Sequence, residues 1–104
     1  MRTTFTAHHV SLTPAIRQQL DEKLGQPISR LFPSPLTRVR VSVGPDGHAG
    51  APGRMRCHVT VWPPKGPAVN ITQAADDLYV AINQTHDRIV RTLADRRKKG
   101  IRRG

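Results

Sequence analysis

The alternation of apolar and polar positions predicts four β-strands. Residues 3–10 are rich in β-branched side chains and poor in breakers, as is typical of a first strand. Residues 39–43 and 55–61 alternate strictly, with valines, Met55 and Cys57 on one side, which indicates half-buried strands. A short fourth strand is predicted over residues 69–73.

Two stretches carry the helical period instead. Ile16, Leu20 and Leu24 follow one another at four-residue steps, after Thr13 as N-cap and Pro14 at the first helical position. Gly25 and Pro27 interrupt this stripe, but it continues to Phe32, so we expect a kink or a short second turn there.

The second helix has its apolar stripe at Leu78, Ile82, Thr85, Ile89 and Leu93, and its opposite face at Gln84, Arg88, Arg91 and Asp95. Asp76 and Asp77 stand where a helix N-terminus favours negative charge. We expect Gly100 to end this helix and residues 101–104 to fray.

The order of elements, β-α-β-β-β-α, predicts an α+β fold. We expect a four-stranded sheet whose last three strands form an antiparallel meander, with two helices packed on one face. Residues 1–95 form a single α+β domain in this interpretation, and residues 96–104 form a basic C-terminal tail. Residues 44–53 are rich in Gly and Pro, a composition typical of a mobile loop.

The net charge of the chain indicates the class of its partner. The 104 residues carry 17 Lys and Arg against 7 Asp and Glu, a net charge of +10. From Arg88 onward there are eight basic side chains and one acidic one, Asp95. Such a concentration of unbalanced positive charge favours a polyanionic partner over a merely solubilising tail.

The aromatic residues bear on which nucleic acid is bound. The chain has only Phe5, Phe32, Trp62 and Tyr79. We interpret the phenylalanines as core and Tyr79 as flanking the apolar stripe. Trp62 precedes two prolines and could be exposed, but a structural role at a strand end is favoured. Stacking of unpaired bases on the sheet is therefore not expected, and folded RNA read through its backbone and shape fits better.

Further basic residues extend this hypothesis. Lys23 and Arg30 are seven residues apart, two helical turns, and predict a basic surface on the first helix if the helix survives Pro27. The strand residues Arg38, Arg40, Arg54 and Arg56 have two open interpretations, a basic stripe on the free sheet face or solubilising charges.

Other classes of function find no support in the sequence. No nucleophile elbow, phosphate loop or pair of carboxylates predicts an enzyme, a cofactor or a small-molecule substrate. His8 and His9 would point to opposite faces of a strand, and so would Cys57 and His58, so no metal site is expected. We also expect the adjacent His86 and Asp87 not to touch. No signal peptide, membrane span or disulfide pattern is present, which predicts a cytoplasmic protein.

The run DDLYVAIN at 76–83, followed by DRI at 87–89 and RTL at 91–93, resembles the second helix of the hibernation-promoting factor and ribosome-associated inhibitor family, also called sigma-54 modulation proteins. The first strand and helix of that family are similar to FTA at 5–7, LTPAIR at 12–17 and EKL at 22–24. The pieces occur in the right order and spacing.

The resemblance implies a fold shaped like double-stranded-RNA-binding domains. It also implies binding of the small ribosomal subunit at the decoding region, where the protein occludes mRNA and tRNA without chemistry. Lys23, Arg88, Arg91, Arg97 and Lys99 match basic positions of the family. The local charge adds the candidate RNA-binding residues Arg30, Arg96, Lys98, Arg102 and Arg103.

The sequence also departs from the family pattern. Asp95 and Gln26 stand where the family tends to have bases, Leu78 replaces Met, and one extra residue precedes Pro27. The chain length predicts a short member without the dimerisation domain of long members. Two alternatives remain: a generic module for structured RNA, and a diverged regulatory domain of the same fold that binds proteins.

Overall fold

The computed structural model describes the backbone of residues 1–46 and 53–103 and the side chains of residues 1–46 and 53–96. It confirms the α+β fold, a four-stranded sheet with a helical layer. The elements in chain order are β1 (Arg2–Ala7), α1 (Pro14–Leu20), a π-helical segment (Asp21–Gly25), α2 (Gln26–Leu31), β2 (Arg38–Pro45), β3 (Met55–Trp62), β4 (Val69–Ala75) and α3 (Leu78–Arg103).

The strands lie side by side in the order β1-β2-β3-β4. The last three form the predicted antiparallel meander, with Val41 opposite Val59 and Val59 opposite Ile71. β1 pairs in parallel with β2, since the first helix carries the chain back across the sheet before β2 begins. β1 and β4 are therefore the two edges.

The core lies between one face of the sheet and the helices. Strict alternation sends every second strand residue inward, and the helices supply the apolar stripes that the sequence predicts. The fully buried side chains include Leu20, Leu24, Ile28, Val41, Val59, Ile82, Ile89 and Leu93. The other sheet face carries no helix, and we call it the open face.

The first helix begins as predicted and then changes its hydrogen bonding. Thr13 caps it, since its Oγ1 accepts a bond from the Ile16 amide at 3.2 Å. At Asp21–Gly25 the bonds skip five residues, as in a π-helix, and the Gln26 amide donates to the Asp21 carbonyl. Such a turn takes up one residue more than an α-helical turn. The helix thus passes Pro27 without ending.

The second helix is longer than predicted. α3 runs from Leu78 through Gly100 to Arg103, so the expected end at Gly100 is wrong. A glycine inside a helix costs only about 1 kcal/mol relative to alanine, and strong helix formers flank this one. The backbone is helical on both sides of the predicted boundary between domain and tail at residue 95, and that division stays a prediction.

Two further expectations concern the loops. The Gly- and Pro-rich segment is predicted over residues 44–53, and residues 47–52 of it lie outside the described residues. At its base the Asp46 amide donates a hydrogen bond to the Arg54 carbonyl at 3.0 Å. β1 ends at Ala7, so the placement of His8 and His9 on a strand is wrong. His9 has a φ of 58°, which ends the extended conformation.

Candidate nucleic-acid interface

Four acidic side chains of the described residues are engaged close to where they stand. Asp77 caps α3, as its position predicts, and its Oδ1 accepts from first-turn amides at 2.7 and 3.4 Å. Asp76 lies 3.9 Å from Arg54. Asp21 and Glu22 each accept a bond from a glutamine side chain of the first helix. Within residues 1–46 and 53–96, Asp76 with Arg54 is the sole pairing of a carboxylate with Arg or Lys, so the other basic groups there keep their charge for a partner.

Three arginines of α3 lie outside the core. The Arg88 guanidinium rests against the edge of β4, where its Nη1 donates to the Thr72 carbonyl oxygen at 3.5 Å. Arg96 donates from Nη1 to the Pro67 carbonyl at 2.9 Å. Arg91 is exposed. The structure therefore fixes two of these cations along the β4 side of α3 and leaves the third in solvent.

Beyond Leu93, the last buried residue of α3 in the described part of the chain, the helix continues for ten residues. At 1.5 Å per residue these extend about 15 Å. We call residues 94–103 the basic arm. The side chains of its predicted contacts Arg97, Lys98, Lys99, Arg102 and Arg103 lie outside the described residues, but their backbone is helical.

The first helix carries two candidate residues, Lys23 and Arg30. Lys23 is partly buried and lies within the π-helical segment, so the seven residues to Arg30 are not uniformly α-helical. Arg30 is exposed and lines a shallow depression with Asp21 and Met1. Both residues stay predicted contacts.

Trp62 lies at the end of β3, on the open face and opposite Arg38. Its ring centroid is 5.7 Å from the Arg38 guanidinium carbon and 5.8 Å from that of Arg40. It is 37% exposed. The strand alternation that sends Val61 inward sends Trp62 outward, and its structural role at the strand end stays a prediction. We call Trp62, Arg38 and Arg40 the tryptophan cluster.

The remaining open face is polar. Arg56 is exposed at the far end of β3, so three of the four strand arginines form the basic stripe. Arg54 precedes β3 and donates instead to the Ala74 carbonyl at 3.0 Å. Between the two ends runs a polar row in which Thr60 donates to Asn70 Oδ1 at 2.7 Å. Pairing partners across strands cannot be derived from one sequence, so this row was not predicted.

Among the described residues no three His, Cys, Asp or Glu side chains come together. His58 lies on the open face and Cys57 in the core, as the alternation predicts. The expectation that His86 and Asp87 do not touch is wrong: Nδ1 lies 3.0 Å from Oδ1, because both side chains bend toward each other at the helix surface.

Burial raises the pKa of the Cys57 thiol from 9.0 to about 11, and the neighbouring Thr85 hydroxyl offsets a part of that rise. A thiol in this state is protonated near neutral pH and has little nucleophilic character. None of the helices in the described part of the chain has the length and apolar character needed to cross a bilayer.

Comparisons with known proteins agree with this architecture. The family model described as Sigma 54 modulation protein / S30EA ribosomal protein matches residues 3–100. The Thermus thermophilus Protein Y N-terminal domain superposes with a TM-score of 0.72 at 23% identity, covering 89% of this chain and 96% of that one. A ribosomal subunit interface protein from Coxiella burnetii gives 0.74 at 17% identity, covering 94% and 99%. No curated protein gives a significant match.

Proposed function

Because the chain belongs to the Sigma 54 modulation protein / S30EA ribosomal protein family, we propose that it binds the small ribosomal subunit at the decoding region and blocks mRNA and tRNA. The family is one of ribosome-associated hibernation factors. Beyond ribosome association, we propose that the partner is the RNA of the small subunit. We also propose that inhibition occurs by occlusion, which needs no chemical step.

The observation that carries the proposal is the uncompensated charge along α3. Arg88 and Arg96 donate to backbone carbonyl groups, Arg91 is exposed, and five further cations follow on the helical backbone of the basic arm. Positive groups fixed along one rod match the phosphates of folded RNA, and each contact releases counterions. Hydrogen bonds to carbonyl oxygens hold the guanidinium groups in place without neutralising them.

Docking of this rod on ribosomal RNA would place the folded domain in the path of the messenger. The sheet and first helix form a rigid body behind α3, because the stripe from Leu78 to Leu93 is buried against them. Inhibition then follows from the volume of the domain. This mechanism requires that binding persist without any small molecule and that mRNA or tRNA compete with the protein.

Co-sedimentation with separated ribosomal subunits tests the proposal. We expect retention on the small subunit at moderate salt in the presence of free duplex RNA, and displacement by mRNA with initiator tRNA. Equal retention on both subunits, abolished by duplex RNA, would favour the alternative of a generic module for structured RNA. Retention that survives removal of the RNA contacts would favour a protein-binding domain.

A matched pair of double variants tests the residues. Arg91→Ala with Arg97→Ala removes two charges from α3, while Arg2→Ala with Arg56→Ala removes two from the open face, where both are exposed. We expect the first variant to bind the small subunit more weakly and to reduce the salt slope by about 2, one for each lost contact. We expect the second to bind like the unaltered protein. Equal loss in both would show that only net charge matters.

A further inference from the structure

We propose that the tryptophan cluster is a second RNA-binding site, one that takes an unpaired segment. A base would stack on Trp62, and Arg38 and Arg40 would hold the flanking phosphates. The site lies on the open face, opposite the helical layer, so it is independent of the proposed function of α3 and would stand if that function failed.

The first support is the position of the three side chains. Trp62 and Arg38 are direct neighbours across β2 and β3, and Arg40 follows two residues later on the same face. Both guanidinium carbons lie within 6 Å of the ring centroid, the range of a cation–π contact. More than a third of the tryptophan remains exposed. The ring is therefore partly open to solvent, with positive charge beside it.

The second support is the charge of the whole open face. Its strand positions are all described, and none is Asp or Glu: they are Arg2, Thr4, Thr6, Arg38, Arg40, Ser42, Arg56, His58, Thr60, Trp62, Asn70, Thr72 and Ala74. Four cations without a facing carboxylate need an anionic partner. A cluster that served only stability would be expected to include an acidic residue, since like charges on neighbouring strands destabilise a sheet.

The combination favours unpaired RNA over other polyanions. A duplex hides the faces of its bases, whereas a single strand offers both a ring for Trp62 and phosphates for the arginines. The polar row beside the cluster, Thr60 bonded to Asn70 and to His58 Nε2 at 3.0 Å, offers groups for base edges and 2′-hydroxyls. An acidic peptide would satisfy the charge but would leave the ring face uncovered.

Trp62 is the single tryptophan of the chain, so its fluorescence reports on this site alone. The probe is an eight-nucleotide adenosine RNA, compared with a ribose-phosphate chain of the same length and charge that has no bases. We expect the RNA to quench the fluorescence in a saturable way and the abasic chain not to do so. Equal quenching by both, or by neither, would overturn the proposal.

Variants then separate stacking from charge, with binding followed by anisotropy of the labelled RNA and folding checked by thermal unfolding. Trp62→Leu should weaken RNA binding about tenfold or more, and Trp62→Phe should keep most of it, since stacking on one aromatic ring contributes about five- to a hundredfold. Arg40→Ala should weaken binding more than Arg56→Ala, which removes the same charge six residues, or about 20 Å, from Trp62 along β3. If Trp62→Leu binds the RNA as the unaltered protein does, or if a decaglutamate peptide competes as well as the RNA, the site is not one for unpaired RNA.

Discussion

The Arg96 guanidinium reaches back from α3 to the turn before β4, where its Nη1 donates to the Pro67 carbonyl at 2.9 Å. The preceding Gly66 makes room for it, since a β-carbon there would lie 3.1 Å from Nη2, and its φ of +92° suits glycine. Arg96 lies three residues after Leu93. It therefore ties the base of the basic arm to the sheet where apolar burial has stopped.

Loss of this tie should loosen the arm without unfolding the domain. Arg96→Lys keeps the charge but not the planar guanidinium that reaches Pro67. We expect faster amide hydrogen exchange over residues 97–103 and an unchanged melting temperature, because no core contact is lost. The exposed Arg91→Lys serves as control and should leave exchange unchanged. Identical exchange in both variants would show that Pro67 does not hold the arm.

Binding to the small subunit should weaken steeply with salt. If about six phosphates are neutralised, affinity should fall about a thousandfold or more between 50 and 200 mM salt. The measurement is the dissociation constant at four or five salt concentrations. A nearly flat dependence would contradict docking of α3 on phosphates, whatever the residues involved.

Gly44 should tolerate no side chain. A β-carbon there would come within 2.5 Å of the His8 carbonyl oxygen, where β1 leaves β2. Backbone cannot move aside easily, so Gly44→Ala should lower the free energy of unfolding by about 1–3 kcal/mol. Gly25→Ala is the control: its β-carbon would meet only Asp21 Oδ1, the movable end of a side chain, at 2.8 Å. We expect Gly25→Ala to change the free energy of unfolding, measured in urea, by less than about 1 kcal/mol, since alanine also favours the helix.

Ionisation of Cys57 should destabilise the fold in alkali. Its pKa is raised from 9.0 to about 11 by burial, so the unfolded chain loses the proton first. Stability from this group is complete below pH 9 and falls as the pH rises through 11, by at most about 3 kcal/mol at 1.36 kcal/mol per pKa unit. The measurement is the free energy of unfolding of the protein and of Cys57→Ala from pH 8 to 11. We expect it to fall more steeply with pH in the protein that has the thiol. Parallel curves would contradict this.

Much of the fold was predictable because one face of each element is apolar. The stripe from Leu78 to Leu93 and the alternation around Val41 and Val59 needed only the helical and strand periods. The parallel pairing of β1 with β2 did not follow from periodicity, since it depends on where the first helix returns the chain. The end of α3 did not follow from Gly100 alone, because the residues that flank this glycine favour the helix.

The candidate site divides in the same way. The excess of cations from Arg88 onward is visible in composition, and the place of Arg88 and Arg91 on the outer face of α3 follows from helical spacing. That Arg88 and Arg96 are held by the β4 side is a tertiary contact, which no local pattern encodes. The contact of Trp62 with Arg38 and Arg40 did not follow from the sequence either, because it depends on the pairing of β2 with β3.

The π-helical segment also affects how this chain can be compared with its relatives. An added residue is absorbed within a single turn, so the residues before Asp21 and after Gly25 each keep their own alignment with the core, as the burial of Leu20 and Ile28 shows. Insertions at this place alter the surface of one turn and leave the interior unchanged. A comparison that assumes a uniform helical repeat through the segment will assign the wrong side of the helix to charged residues beyond it, and Lys23 and Arg30 are a pair to which this applies.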